Sequence, residues 1–128
     1  SFSAEEKILS FYYALIEKYK QNRSLVLLKF SDLNYTDIRP WFMESFRLSF
    51  KEWFSNVVET DNNNEAIIKS IVSSASNEAI WLQFLYITKV FVNDESKEFQ
   101  ITEMAIEKSS AVVFELFRQG TVELLLDF

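Results

Sequence analysis

Residues 78–92 read EAIWLQFLYITKVFV, and this stretch decides the fold. At the helical rotation of about 100° per residue, Ile80, Phe84, Ile87 and Phe91 form one apolar row. Trp81, Leu85, Thr88 and Val92 form a second row, about 100° further round the axis. Only a narrow strip through Glu78 and Lys89 is charged. A helix that is apolar on two faces must bury both, one in its own core and one elsewhere. Gln83 and Lys89 interrupt the apolar run, and it is shorter than the ~20 residues of a membrane span.

The chain on either side continues in helices. From Thr102 to Gln119 two rows recur: Ala105, Ser109, Val112 and Leu116, then Ile106, Ser110, Val113 and Phe117. Gly120 is placed to end this helix as a left-handed cap, and the apolar tail Val122 to Phe128 follows with its conformation open. At the other end, Ser3 and Glu6 have the spacing of a capping box. Ile8, Phe11, Tyr12, Leu15, Ile16 and Tyr19 then make one helical stripe, with Lys18 and Lys20 where the helix dipole favours cations. A shorter helix is expected from Arg23 to about Phe30, led by Asn22, and then a loop through Ser31, Asp32, Asn34 and Thr36.

Pro40 suits the first turn of a long third helix ending near Thr60, where its missing N–H costs nothing. Phe42, Phe46, Phe50, Trp53 and Val57 share one face of it, with Met43 and Phe54 beside them. Glu44, Arg47, Lys51 and Glu52 lie opposite, and Trp41 and Leu48 fall on that polar side. Asp61 to Asn64 read as a polar loop, and Glu65 to about Ser74 as another short helix carrying Ile67, Ile68, Ile71 and Val72. The expectation is a single all-α domain over residues 1–128, with about six helices.

Composition agrees. The chain is 48% hydrophobic and 16% aromatic, with a single Gly and a single Pro. Sheet proteins need tight turns that Gly supplies, so this scarcity favours long helices. Charge is uneven: residues 1–64 carry a net −1 and residues 65–128 a net −5. An acidic surface repels phosphate backbones, so this segment by itself is not expected to bind nucleic acid. No signal peptide or membrane span is read, and without Cys a reducing cytoplasm suits the chain.

Much chemistry is excluded by the residues the chain lacks. Without His the commonest general base and metal ligand are missing, and without Cys a zinc or transition-metal site is not expected. No Ser-x-x-Lys pair occurs, and one Gly cannot build a phosphate-binding glycine loop. Asp94, Glu95 and Glu98 could hold a hard cation, but acidic residues at an exposed loop and helix N-terminus account for them more simply. No enzyme activity, catalytic residue, metal or cofactor is expected.

The stretch Asn93-Asp94-Glu95-Ser96-Lys97-Glu98-Phe99-Gln100-Ile101-Thr102-Glu103-Met104-Ala105-Ile106-Glu107-Lys108 separates an aromatic-rich helix opened by Trp81 from a final amphipathic one. This arrangement resembles the C-terminal domains of TetR-family transcriptional regulators. It is also similar to a lipid-binding protein of ubiquinone biosynthesis with the same helical fold. The TetR resemblance implies that the last two helices pair with their twofold mates in a four-helix dimer interface. The small residues Ala105, Ser109, Ser110 and Ala111 would permit close approach there. It also implies an apolar effector cavity among the preceding helices. The family's DNA-reading helix-turn-helix has no match in these residues, so either a longer regulator or a stand-alone relative is compatible.

The functional expectation is the effector-binding and dimerisation domain of a TetR-like regulator, sensing a small apolar or amphipathic molecule. The alternatives are a lipid carrier and a ligand-free structural helical dimer. The homodimer is expected to place Trp81, Leu85, Thr88, Val113 and Phe117 near the twofold axis, because exposed second apolar faces would form too large a patch. The pocket is expected between the first and third helices, which carry the broadest aromatic stripes. Its lining would be Tyr12, Leu15, Met43, Phe46, Phe50 and Trp53, with Phe84 closing one side and Tyr12 orienting the ligand. Plain core is the competing reading of the same stripe.

Overall fold

A computed structural model of the protein describes the backbone at residues 3–34, 37–61 and 66–127, and side chains at 3–34, 37–57 and 78–116. Among these residues there are five α-helices and no strand: α1 (Ala4–Gln21), α2 (Arg23–Phe30), α3 (Glu44–Asp61), α4 (Ala66–Val92) and α5 (Gln100–Asp127). Short 3-10 turns, Trp41–Met43 and Lys97–Phe99, lead into α3 and α5. Pro40 stands immediately before the first of these turns rather than inside α3.

The start of α1 is held by the capping box. The Ser3 hydroxyl accepts from the Glu6 N–H at 3.2 Å, while the Glu6 carboxylate accepts from the Ser3 N–H at 3.5 Å. These bonds satisfy backbone donors that have no partner within the helix. Ile8, Tyr12, Ile16 and Tyr19 then face the core. Two phenols fasten this face to α4: Tyr12 Oη donates to the Ile80 carbonyl at 3.4 Å, and Tyr19 Oη lies 2.7 Å from Thr88 Oγ1. Seven residues on α1 thus match eight on α4, so the two helices run in the same direction here. Burial pushes the Tyr19 phenol up to about 12 against the opposing hydrogen bond with Thr88, so it stays neutral.

α4 is the central element, packed against α5 and α3 most extensively and against α2 as well, and reached from α1 by the Tyr12 and Tyr19 hydroxyls. This placement explains its two apolar rows: Ile80, Phe84, Ile87 and Phe91 are buried, and so are Trp81, Leu85, Thr88 and Val92. The segments read separately as 65–74 and 78–92 form one helix, because no residue between them breaks helical geometry strongly enough to end it. Likewise α5 does not stop at Gly120 but runs to Asp127, so that glycine is a helical residue and not a left-handed cap.

The inward face of α3 differs from the sequence reading. Met43, Phe50, Phe54 and Val57 are buried, but Phe42 and Phe46 are partly exposed, and Arg47 is buried rather than opposite the core. Arg47 donates to Glu44 at 2.9 Å, one turn away, so its charge enters the core edge with a partner. Lys51 reaches across to Glu78 and ties α3 to α4. The Trp81 indole N–H donates to the Ile38 carbonyl at 2.7 Å and pins the segment before α3 onto α4.

The turn between α4 and α5 contains two consecutive residues in the left-handed region, Glu98 (φ 54°) and Phe99 (φ 57°). Phe99 is compensated by its ring, which stacks on Phe91 at 4.9 Å beneath Lys20 and Arg23, each within 6 Å of its centroid: 5.7 and 5.9 Å. Glu98 is exposed and has no such compensation. Glu98→Gly is therefore expected to stabilise the chain by about 0.5–1 kcal/mol, since glycine occupies this region without a Cβ clash. Chemical denaturation would measure the gain, and a loss of stability would show that Glu98 makes a contact worth more than the strain.

Candidate functional site

An apolar depression lies between α1 and α3. It has a volume of about 670 Å³ and is lined by Lys7, Ser10, Phe11, Phe46, Ser49, Phe50, Trp53 and Val57. Spacing of three and four residues brings Lys7, Ser10 and Phe11 to one face of α1, and Phe46, Ser49, Phe50, Trp53 and Val57 to the facing side of α3.

Aromatic packing shapes the groove. Phe11 sits 5.3 Å from Phe50 and 5.2 Å from Trp53, so one ring of α1 bridges two of α3. Phe46 stacks on Phe50 at 5.7 Å with an interplanar angle of 24°. Behind them Phe84 lies 4.9 Å from Phe46 and 5.4 Å from Phe50, itself stacked on Trp81. Phe50 is only 4% exposed and forms the floor, whereas Phe46, at 40%, stands at the rim. Rings of this size meet edge to face and at tilted angles, which leaves concave apolar surface between two helices that touch only locally.

The sequence-predicted lining is divided by the structure. Phe46, Phe50 and Trp53 line the groove together. Tyr12, Met43 and Phe84 are buried behind it, and Leu15 is half-buried against the core. Tyr12 cannot orient a ligand from there, because its hydroxyl is spent on the Ile80 carbonyl of α4. Burial foremost, and Tyr19 beside it, raise its pKa well above the ordinary tyrosine value. The polar groups that do reach the groove are Lys7, Ser10 and Ser49. Sequence reasoning missed them, although Lys7 stands four residues before Phe11, Ser10 three after Lys7, and Ser49 three after Phe46 and four before Trp53.

The residues expected at a twofold axis are also redistributed. Trp81, Leu85, Thr88 and Val113 lie buried inside the single chain, and the side chain of Phe117 lies outside the described residues. The outward face of α4 carries Leu82 and Tyr86, and that of α5 carries Ile101, Met104, Val112 and Leu116. The serines of α5 do permit close approach, to α4 of the same chain: the Gln83 amide donates to Ser109 at 3.0 Å and Ser110 at 2.8 Å.

The acidic stretch 94–98 also differs from its sequence reading, since Asp94 is buried and engaged by Ser96 and Thr102. Among the described residues no group of three or more acidic side chains is placed to hold a metal ion, and no helix is long and apolar enough to cross a membrane.

A family model described as tetracyclin repressor-like, C-terminal domain, aligns with residues 7–128. No curated protein and no solved structure matches the chain significantly.

Proposed function

Because the chain belongs to the tetracyclin repressor-like C-terminal domain family, we propose that it is the effector-binding and dimerising part of a transcriptional regulator, with the α1–α3 groove as the effector seat. C-terminal domains of this family are regulator domains rather than enzymes. The observation that carries the proposal is the aromatic groove, whose volume falls in the ~300–1,000 Å³ range of small-molecule sites. Its occupant is a small apolar or amphipathic molecule. The acidic surface of the segment does not suit a phosphate backbone, so DNA contact in this role falls to another module. Occupancy acts by favouring one of two arrangements of the assembly, in proportion to the ligand's differential affinity for them.

Ligand-dependent thermal stability tests the seat. A ligand that binds only the folded chain, at a hundredfold excess over its Kd, adds about 2.7 kcal/mol and raises Tm accordingly. Small hydrophobes are expected to do so, with a change in emission from Trp53 that disappears in Trp53→Phe. A panel that moves neither Tm nor that emission removes the support for an effector seat in this groove.

The dimer contact proposed here is the outward face of the last two helices. Ile101, Val112 and Leu116 fall within about 60° on α5, and Leu82 and Tyr86 within about 40° on α4. Val112 and Leu116 remain 59% and 55% exposed in the single chain, which suits a face covered by a second copy. Trp81, Leu85, Thr88 and Val113 then support this face from within. The wild type is expected to sediment as a dimer at tens of micromolar (an order-of-magnitude working range for a standard-size interface). Leu116→Lys, which sets like charges against each other across a twofold axis, is expected to yield a folded monomer. A monomeric wild type, or a variant that still dimerises fully, argues against this face.

A further inference from the structure

We infer that the α1–α3 groove selects an alkyl chain bearing a single anionic head, with the Lys7 ammonium as its counter-charge and the Ser10 and Ser49 hydroxyls as hydrogen-bond donors. This rests on the groove being the ligand seat and adds the chemical class of what sits there. Five of the lining residues, Phe11, Phe46, Phe50, Trp53 and Val57, offer apolar surface, and only the Trp53 indole among them carries a polar atom. The remaining three are polar, and Lys7 carries the sole formal charge among the lining residues. The occupant that satisfies both sets is an amphiphile, and the sign of its head follows from Lys7.

The charge pattern makes this selective. The chain is net −6, so a cation among the lining residues runs against the overall field. Lys7 makes no ion pair among the described residues: the three pairs there are Lys20–Glu17, Arg47–Glu44 and Lys51–Glu78. Its neighbour Glu6 is engaged by Ser3 in the capping box. Lys7 is half-buried and lines the groove, and a lysine so placed can lay its stem along apolar surface while its ammonium stays in water. A carboxylate there gains a charge-assisted hydrogen bond that an alcohol of the same length does not. A quaternary ammonium head is repelled by Lys7 and has no lone pair to accept a hydrogen bond from the serines.

Three probes of equal chain length separate the head from the tail: decanoate, 1-decanol and decyltrimethylammonium, each below its micellar concentration and titrated by calorimetry. Wild type is expected to bind decanoate about threefold to tenfold more tightly than 1-decanol, the range for a partly exposed ion pair. That gap should narrow with added salt. Lys7→Met is expected to close it, and Lys7→Arg to keep it. Phe46→Ala, at the rim, is expected to weaken all probes that bind. Equal affinity for decanoate and 1-decanol, both weakened by Phe46→Ala, overturns the head-group inference and leaves the seat standing. Binding that ignores Phe46→Ala, or no binding by any probe, overturns both.

Discussion

Phe50→Ala is expected to lower the unfolding free energy by about 3–5 kcal/mol, the cost of removing a buried aromatic ring whose surroundings cannot collapse to fill the gap. The surroundings in question are other rings: Phe11, Phe46, Trp53, Trp81 and Phe84 all have centroids within 6.2 Å of Phe50. They hold one another at fixed distances, so the space left by the ring persists as a void continuous with the groove. Urea denaturation should show a lower midpoint with an unchanged m-value, because the surface exposed on unfolding is nearly the same. Phe46→Ala is the internal control. Its ring is 40% exposed, and its loss should cost about 1–2 kcal/mol. If the two variants lose the same amount, Phe50 is not the floor of the groove. The void also changes ligand choice: Phe50→Ala should gain affinity for bulkier hydrophobes relative to wild type, measured as a larger rise in Tm for the same ligand concentration.

The helical framework was legible where local rules agree with packing. Ser3 and Glu6 announced the start of α1, and its stripe of Ile8, Tyr12, Ile16 and Tyr19 is the buried face. That Phe46, Phe50 and Trp53 share one face of α3 was legible because three- and four-residue spacing fixes it. The same argument fails on α4. A helix surrounded on nearly every side has apolar residues all round, so periodicity carries no information on which row turns outward. Trp81 and Leu85 were therefore assigned to a twofold axis when they fill the interior, and Leu82 and Tyr86 are the exposed positions. The polar run before Glu78 was read as a break, yet Ser and Asn disfavour a helix only weakly and α4 passes through it. Arg47 was placed in solvent by its charge alone, whereas Glu44 one turn earlier lets it turn inward.

Asp94 shows how a local reading of charge can miss a structural role, and it carries the second large effect. Asp94→Ala is expected to cost about 2–4 kcal/mol, more than an ordinary helix cap, because one buried carboxylate satisfies four donors. The Ser96 N–H and hydroxyl reach one oxygen, and the Thr102 N–H and hydroxyl reach the other at 2.8 and 2.6 Å. Asp94 thereby caps the first turn of α5 from eight residues upstream, far outside the spacing that sequence patterns search. Burial pushes its pKa up, but the hydrogen bonds from Ser96 and Thr102 outweigh burial and hold it below the ordinary aspartate value. A folded pKa below the unfolded one means the contribution is complete above the unfolded value, about 3.9, and is lost as pH falls through the folded value. Asp94→Asn separates the charge from the shape, since its amide resembles the protonated acid. The stability difference between wild type and Asp94→Asn should be constant from neutral pH down to about 4 and should shrink steadily below that. Taking the difference cancels the other carboxylates, which titrate alike in both proteins. A gap that stays constant or widens on acidification would mean that Asp94 is not held ionised by these donors. The join between α4 and α5 would then depend on the Phe91–Phe99 stack instead.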